Sequence, residues 1–219
     1  MAAVDSGDPV RQKILDAAGE IFAEEGFQSA TVREICARAG VNVAAVNYYF
    51  GDKAALYVEV LRFSTCVAHE EIARAAATPG AEPETVLREM IRSMCRKMLP
   101  SARPSWAFRL MAHEMARPTP ALDDVVRDVI GPSYQRLRDT VGAMLSLPPD
   151  HETTRMCAHS IISQVIHYVT GRPVISRLWP ELKMTQEQVE KVAEHIASFS
   201  ICSIKELAQR AHTNHAHNN

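Results

Sequence analysis

The chain has 219 residues, a formal net charge of −2, 47% hydrophobic and 23% charged residues, the profile of a globular protein that buries a core without staples. No apolar run approaches the ~18 residues of a membrane span, and the first thirty residues hold Asp5, Asp8 and Asp16 and no apolar leader, so a cytoplasmic protein with no membrane partner is expected. The near-neutral charge speaks against a nucleic-acid binder that works by bulk positive charge.

Almost every segment has a helical period, and no run reads as a strand. Residues 9–25 put Val10, Ile14, Ala17, Ala18, Ile21 and Phe22 on one stripe, with Lys13, Asp16, Glu20 and Glu24 opposite. Gly26 predicts a left-handed end to this helix, after which Phe27 turns back into the core. Thr31 with Glu34 predicts a capping box opening a second helix that runs to Ala39-Gly40. Asn42 caps a third helix over 43–50, and Asp52 caps a fourth from Lys53 to about Ala76. Residues 78–83 read as a loop. Further helices are predicted over 84–99, 104–116, 119–146, 151–171 and 185–210, with a break near Gly131 because Pro132 follows it. Pro173 and Pro180 bracket a short helical turn, and Thr185 with Gln188 offers another capping box. The tail, 211–219, carries His212, His215 and His217 and is expected to be disordered. Cys36, Cys66, Cys95, Cys157 and Cys202 form no CxxC pair and read as buried thiols in a reducing compartment.

Residues 31–50, TVREICARAGVNVAAVNYYF, spell helix, tight turn, helix. Ile35, Ala39, Val41, Val46 and Phe50 are spaced to lock both helices onto the first one. The second short helix then turns Asn42, Val43, Ala44, Asn47, Tyr48 and Tyr49 outward and fits a DNA major groove. Asn pairs with adenine edges, small apolar groups touch thymine methyls, and Tyr reaches phosphate.

The run from Ile14 through FAEEGFQSATVREICARAGVNVAAVNYYFGDKAALY resembles the DNA-binding domain of the TetR/AcrR family of transcriptional regulators. The likeness rests on the Ala-rich first helix, Phe22, Gly26-Phe27, Thr31, Ile35, Ala37, Gly40-Val41, Tyr48, Phe50, Lys53 and Leu56. It implies an all-α fold: a helix-turn-helix DNA-binding domain over 8–68, then a larger helical ligand-binding and dimerisation domain over 84–210. It also implies roles. Thr31 and Val32 lie where the second helix meets a phosphate, and Arg33 where a base or phosphate is reached. Asn42, Val43, Ala44 and Asn47 lie on the reading face, Tyr48 and Tyr49 at backbone-contact positions, and Lys53 beside a phosphate. Each has a plainer use. The tyrosines can pack on neighbouring helices, Arg33 can pair with an acid, Lys53 can be a solvated charge, and Asn42 is a cap first. Many members carry Lys-Gly at the Val43-Ala44 positions and Tyr at Asn47, so no base preference carries over.

Residues 9–56 hold five cations (Arg11, Lys13, Arg33, Arg38, Lys53) against six acids, and 42–50 has no charge. Binding is therefore expected to lean on helix N-termini, amides, tyrosines and dimer symmetry, with a shallow salt dependence.

In the second half, the 151–171 and 185–210 helices carry more apolar surface than one core face needs, which predicts a homodimer through a four-helix bundle. Trp106, Arg109, Met111, His113, Tyr134, Gln164 and His167 are candidates for a pocket that takes a small hydrophobic or amphipathic organic effector, although ordinary packing explains any one of them. Residues 113–145, and the run RMCAHSIISQVIHYVTGRPVI after them, resemble the C-terminal domain of the CecR group of TetR-type regulators. No HExxH, GxSxG or phosphate-binding loop occurs, so neither an enzyme nor a cofactor or metal site is expected. The expectation is a repressor that binds a palindromic operator; the alternative is a DNA-binding regulator or architectural protein without an effector.

Overall fold

The computed structural model describes residues 8–75, 80–99 and 105–217, with side chains over 8–65, 80–99 and 106–210. Cys66 and the tail histidines thus have side chains outside the described residues, and Thr78 and Pro79 of the 78–83 loop lie outside them altogether. All described secondary structure is helical: α1 (Pro9–Ser29), α2 (Val32–Ala39), α3 (Val43–Phe50), α4 (Lys53–Ala75), α5 (Pro83–Met98), α6 (Ser105–Ala116), α7 (Pro120–Val125), α8 (Gly131–Leu145), α9 (Glu152–Thr170), α10 (Arg172–Leu178) and α11 (Gln186–His217).

The chain divides into two compact units, one of residues 1–66 and 103–130, the other of 67–102 and 131–219. In the first, α1 supplies Ile14, Leu15, Ala18, Ile21 and Phe22 to a core closed by Ile35, Val46, Phe50, Leu56, Val60 and Leu61. Trp106, Ala107, Leu110, Val125 and Val129 belong to the same core. Segment 103–130 therefore packs with the N-terminal helices, whereas its sequence position had grouped it with the second half. The cause is a close fit: a β-carbon on Gly19 would stand 2.5 Å from the Trp106 indole, which stacks on Phe63 at 6.1 Å. Only a glycine in α1 admits the ring so near.

The second unit is built on α5, α8, α9 and α11. Leu87, Met90, Ile91, Leu137, Val141, Ala158, Ile161, Val165, Val192, Ile196 and Ile201 form its core. Arg88 and Arg92 of α5 both reach Glu194 of α11, and Arg96 holds Glu190 at 2.5 Å, so charge pairs border the packed faces.

The helix boundaries follow their end residues, with two differences from expectation. Gly26, at φ 78°, breaks α1, but helical backbone resumes to Ser29. The break expected near Gly131 in the 119–146 helix is present: α7 and α8 are separated by a π-type turn over Val126–Ile130. Pro132 offers no N–H and crowds the carbonyl four residues back, so the widened turn just before it relieves the ladder. Lastly, α11 continues to His217, past the point where the sequence reading ends it and starts a disordered tail.

Candidate nucleic-acid interface

Two capped helices and a left-handed glycine build the site. Thr31 is extended at the start of α2; its hydroxyl oxygen accepts from the Glu34 amide at 3.2 Å. The Glu34 carboxylate accepts from the Thr31 amide at 3.0 Å and from its hydroxyl at 2.6 Å. These bonds hold the Glu34 carboxyl below the usual carboxylate range. Gly40 (φ 68°) ends α2 in the left-handed region, where a side chain would be strained, and Val41 then bonds back to Cys36. Asn42 accepts from the Ala45 amide at 2.9 Å and starts α3. Asp52 likewise caps α4 through Ala55 at 2.8 Å.

Val46 and Phe50 are buried, which turns the opposite face of α3 to solvent. Asn42, Val43, Ala44, Asn47 and Tyr48 are all exposed there, with Tyr48 at 74%. The structure thus brings together five of the ten DNA candidates as one continuous surface. Thr31 and Arg33 are exposed on α2, Val32 is half-buried against the core, and Arg33 makes no bond to a described residue.

The other two candidates are committed internally. The Tyr49 hydroxyl donates to Asp8 Oδ2 at 2.6 Å, which raises the phenol's pKa and lowers that of Asp8. Lys53 Nζ donates to the Ala30 carbonyl at 2.8 Å and to that of Gln28 at 3.4 Å, and sits 4.6 Å from the Phe27 ring centre. It ties the end of α1 to the start of α4. An ammonium has three donors, so one remains for a phosphate.

The remaining cations sort just as clearly. Arg11 pairs with Glu59 at 2.7 Å, and Arg38 with Glu24 at 3.1 Å and Glu20 at 3.5 Å. Of the five cations in 9–56, Lys13 and Arg33 alone lack a described partner.

The pocket candidates fall in different units. Trp106 is buried against Gly19, Met111 packs on the same core, and Arg109 and His113 are exposed, all in the first unit. In the second, the Tyr134 hydroxyl lies 3.1 Å from His159 Nε2, Gln164 donates to Ser200 at 3.2 Å, and His167 is exposed. Each unit holds its own subset, and Trp106 and Gln164 are used in packing.

Two residues escaped sequence reasoning. Asp8 before Pro9 is legible as a helix cap, but not as a partner of Tyr49. Glu114, 1% exposed, accepts from Tyr57 at 2.6 Å and from the Thr119 amide and hydroxyl at 2.6 and 2.9 Å. Burial, and then Glu114, push the Tyr57 phenol far up. An acid inside an apolar helix was the available signal. Its partners are 57 residues upstream and five downstream.

Two family models match the chain: bacterial regulatory proteins of the tetR family over residues 14–60, and the C-terminal domain of the HTH-type transcriptional dual regulator CecR over residues 83–204. The HTH-type transcriptional dual regulator CecR of Shigella flexneri is 27% identical over 216 residues, covering 94% of this chain and 96% of that protein. The HTH-type transcriptional repressor AcnR of Corynebacterium efficiens is 38% identical over 94 residues, covering 42% of this chain and 45% of its own. The fatty acid degradation regulator FadR from Bacillus halodurans, a solved structure, has a TM-score of 0.64 at 14% identity, covering 90% of this chain and 97% of its own; it supports the fold alone.

Proposed function

The chain belongs to the TetR family of DNA-binding transcriptional regulators, with a C-terminal domain of the CecR type, and on that footing we propose that it is a cytoplasmic repressor that binds a palindromic operator as a homodimer and is released by a small organic effector. The observation that carries the reading is the exposed face of α3, an uncharged surface of amides, small apolar groups and a phenol. Such a face reads base edges without the grip of bulk charge.

Residues 8–68 are assigned to DNA and 84–210 to dimerisation and effector binding, although 103–130 pack in the same unit as the DNA-binding helices. Met156 of α9 and Phe199 and Leu207 of α11 are exposed apolar groups on helices that already fill their own core. A second subunit would cover them. The effector acts by favouring a conformation that spaces the two α3 helices wrongly for half-sites about 34–36 Å apart. One reading without an effector also has an observation behind it: Trp106 and Gln164 are already spent on internal contacts. In that case the chain is a regulator or architectural protein governed only by its abundance.

The test is enrichment of duplexes from a randomised-core pool by the full chain, then footprinting on the enriched duplex and sedimentation of the complex. Two chains on one palindrome support the reading. No enrichment, or one chain per site, overturns it. A screen of organic compounds on that probe then separates the two modes of control.

A further inference from the structure

The carboxylate of Asp8 is shared between two helices. Oδ1 accepts from the Val10 amide at 2.7 Å and the Arg11 amide at 3.4 Å, which caps α1. Oδ2 accepts the Tyr49 hydroxyl, 41 residues away, at the last turn of α3. Three residues after Asp8, Arg11 lies over the ring of Phe50, the neighbour of Tyr49, at 5.2 Å. The first turn of α1 therefore grips the end of α3 twice.

The grip is needed because α3 has eight residues, and a helix that short is not rigid alone. Asn42 fixes its first turn through Ala45. Val46 and Phe50 seat one side but leave the helix free to roll slightly about that seam. A bond from Tyr49 to a capped backbone removes that freedom. Tyr49 in turn meets the Tyr48 ring edge-on, at 5.0 Å and 84°. Tyr48 is otherwise held by little, since its ring is mostly exposed.

We propose that Asp8 is a positioning residue for DNA reading: through Tyr49 it sets the roll of α3 and the orientation of Tyr48, and touches no DNA itself. This rests on the reading above that α3 enters the major groove. It also accounts for an acid beside a DNA-reading helix. The carboxylate keeps its charge and its repulsion of phosphate, and the bonds it accepts from Val10 and Tyr49 are what offset that cost.

The test uses the full chain and the duplex that the wild type enriches from a randomised pool, with a shuffled duplex as reference. The quantity is the ratio of the two affinities, in which a change of net charge largely cancels. Tyr49→Phe deletes the hydroxyl. Asp8→Ser keeps a cap but cannot reach Tyr49. Asp8→Asn keeps an acceptor for the cap and can donate to the phenol oxygen. The ratio should fall about 3–10-fold in Tyr49→Phe and in Asp8→Ser, about what one lost hydrogen bond allows. It should fall no further in the double variant, and stay within about twofold in Asp8→Asn. An unchanged ratio in both single variants, whatever their melting temperatures, overturns the proposal and leaves the bond merely structural. A fall in Tyr49→Phe without one in Asp8→Ser also overturns it, and puts the phenol on the DNA. If the wild type enriches no duplex, the DNA-reading assignment fails first and this proposal fails with it.

Discussion

The indole of Trp106 lies on Gly19, with three of its carbons 2.5–2.6 Å from where a β-carbon on that glycine would sit. Gly19 is in mid-helix, where alanine ordinarily stabilises by about 1 kcal/mol. Here Gly19→Ala should instead destabilise the N-terminal unit, by about 1–3 kcal/mol, because the ring and its partner Phe63 cannot retreat from a filled core. Denaturant titration followed by tryptophan fluorescence measures this. A stabilised variant would mean that the ring yields.

Tyr48 and Lys53 should separate by what they disturb. Tyr48→Ala removes an exposed ring and should weaken operator binding by about 1–2 kcal/mol per subunit, with melting unchanged. Lys53→Ala loses the bond to the Ala30 carbonyl and the contact with Phe27. It should lower stability by about 1–2 kcal/mol as well as weaken binding. Gel-shift titrations beside thermal melts decide, and sedimentation should show the dimer intact in both.

With Arg11 and Arg38 paired to acids, few cations remain for phosphate. The slope of log K against log salt should be about −4 to −6 for the dimer, from two or three phosphates per subunit. Arg33→Ala should flatten it by about two, one contact being lost on each half-site. A wild-type slope of about −10 or steeper would contradict this.

Glu114 and Tyr57 predict an alkaline weakness. The folded Tyr57 phenol holds its proton above the ordinary value of about 10, mainly through burial. A raised folded pKa favours the folded state until pH passes the unfolded value, and that favour is lost as pH climbs toward the folded one. Stability should therefore decline above pH ~10, and Tyr57→Phe should remove part of the decline. Glu114→Ala strands the Tyr57 hydroxyl and the Thr119 donors and should cost about 2–4 kcal/mol at neutral pH, with Glu114→Gln costing less. Unfolding free energies from pH 8 to 11 test both.

Cys202 is exposed on α11, three residues from Phe199, while Cys95 is buried and its thiol is pushed up to about 12 by burial. If α9 and α11 form the subunit interface, labelling of Cys202 by a thiol reagent should slow as protein concentration rises. Cys95 should stay unlabelled until unfolding. Peptide mapping reads each site, and a Cys202 rate independent of concentration would count against that interface.

What the sequence discloses is local. Thr31 with Glu34, Asn42 before Val43, Asp52 before Lys53 and Gly40 place four helix ends, because each cap bonds within a few residues of itself. The outward face of α3 is legible for the same reason: buried Val46 and Phe50 fix which side is out. What escapes is contact at a distance. Nothing near Trp106 says that its partner is Gly19, and nothing near Lys53 says that its amine is claimed by the carbonyl of Ala30. Periodicity locates a stripe but not the element that covers it, so segment 103–130 read as part of the second half and packs with the first.

The pairing of Arg11 and Arg38 with acids, and of Lys53 with carbonyls, has a kinetic side. A protein slides along duplex on loose cations that trade one phosphate for the next. A reader whose cations are mostly claimed has little to slide on. Its encounters with irrelevant sequence should be brief, and its search should run by release and re-collision through solution. It should reach its site more slowly in dilute salt than a basic reader does, and lose less of that speed as salt rises.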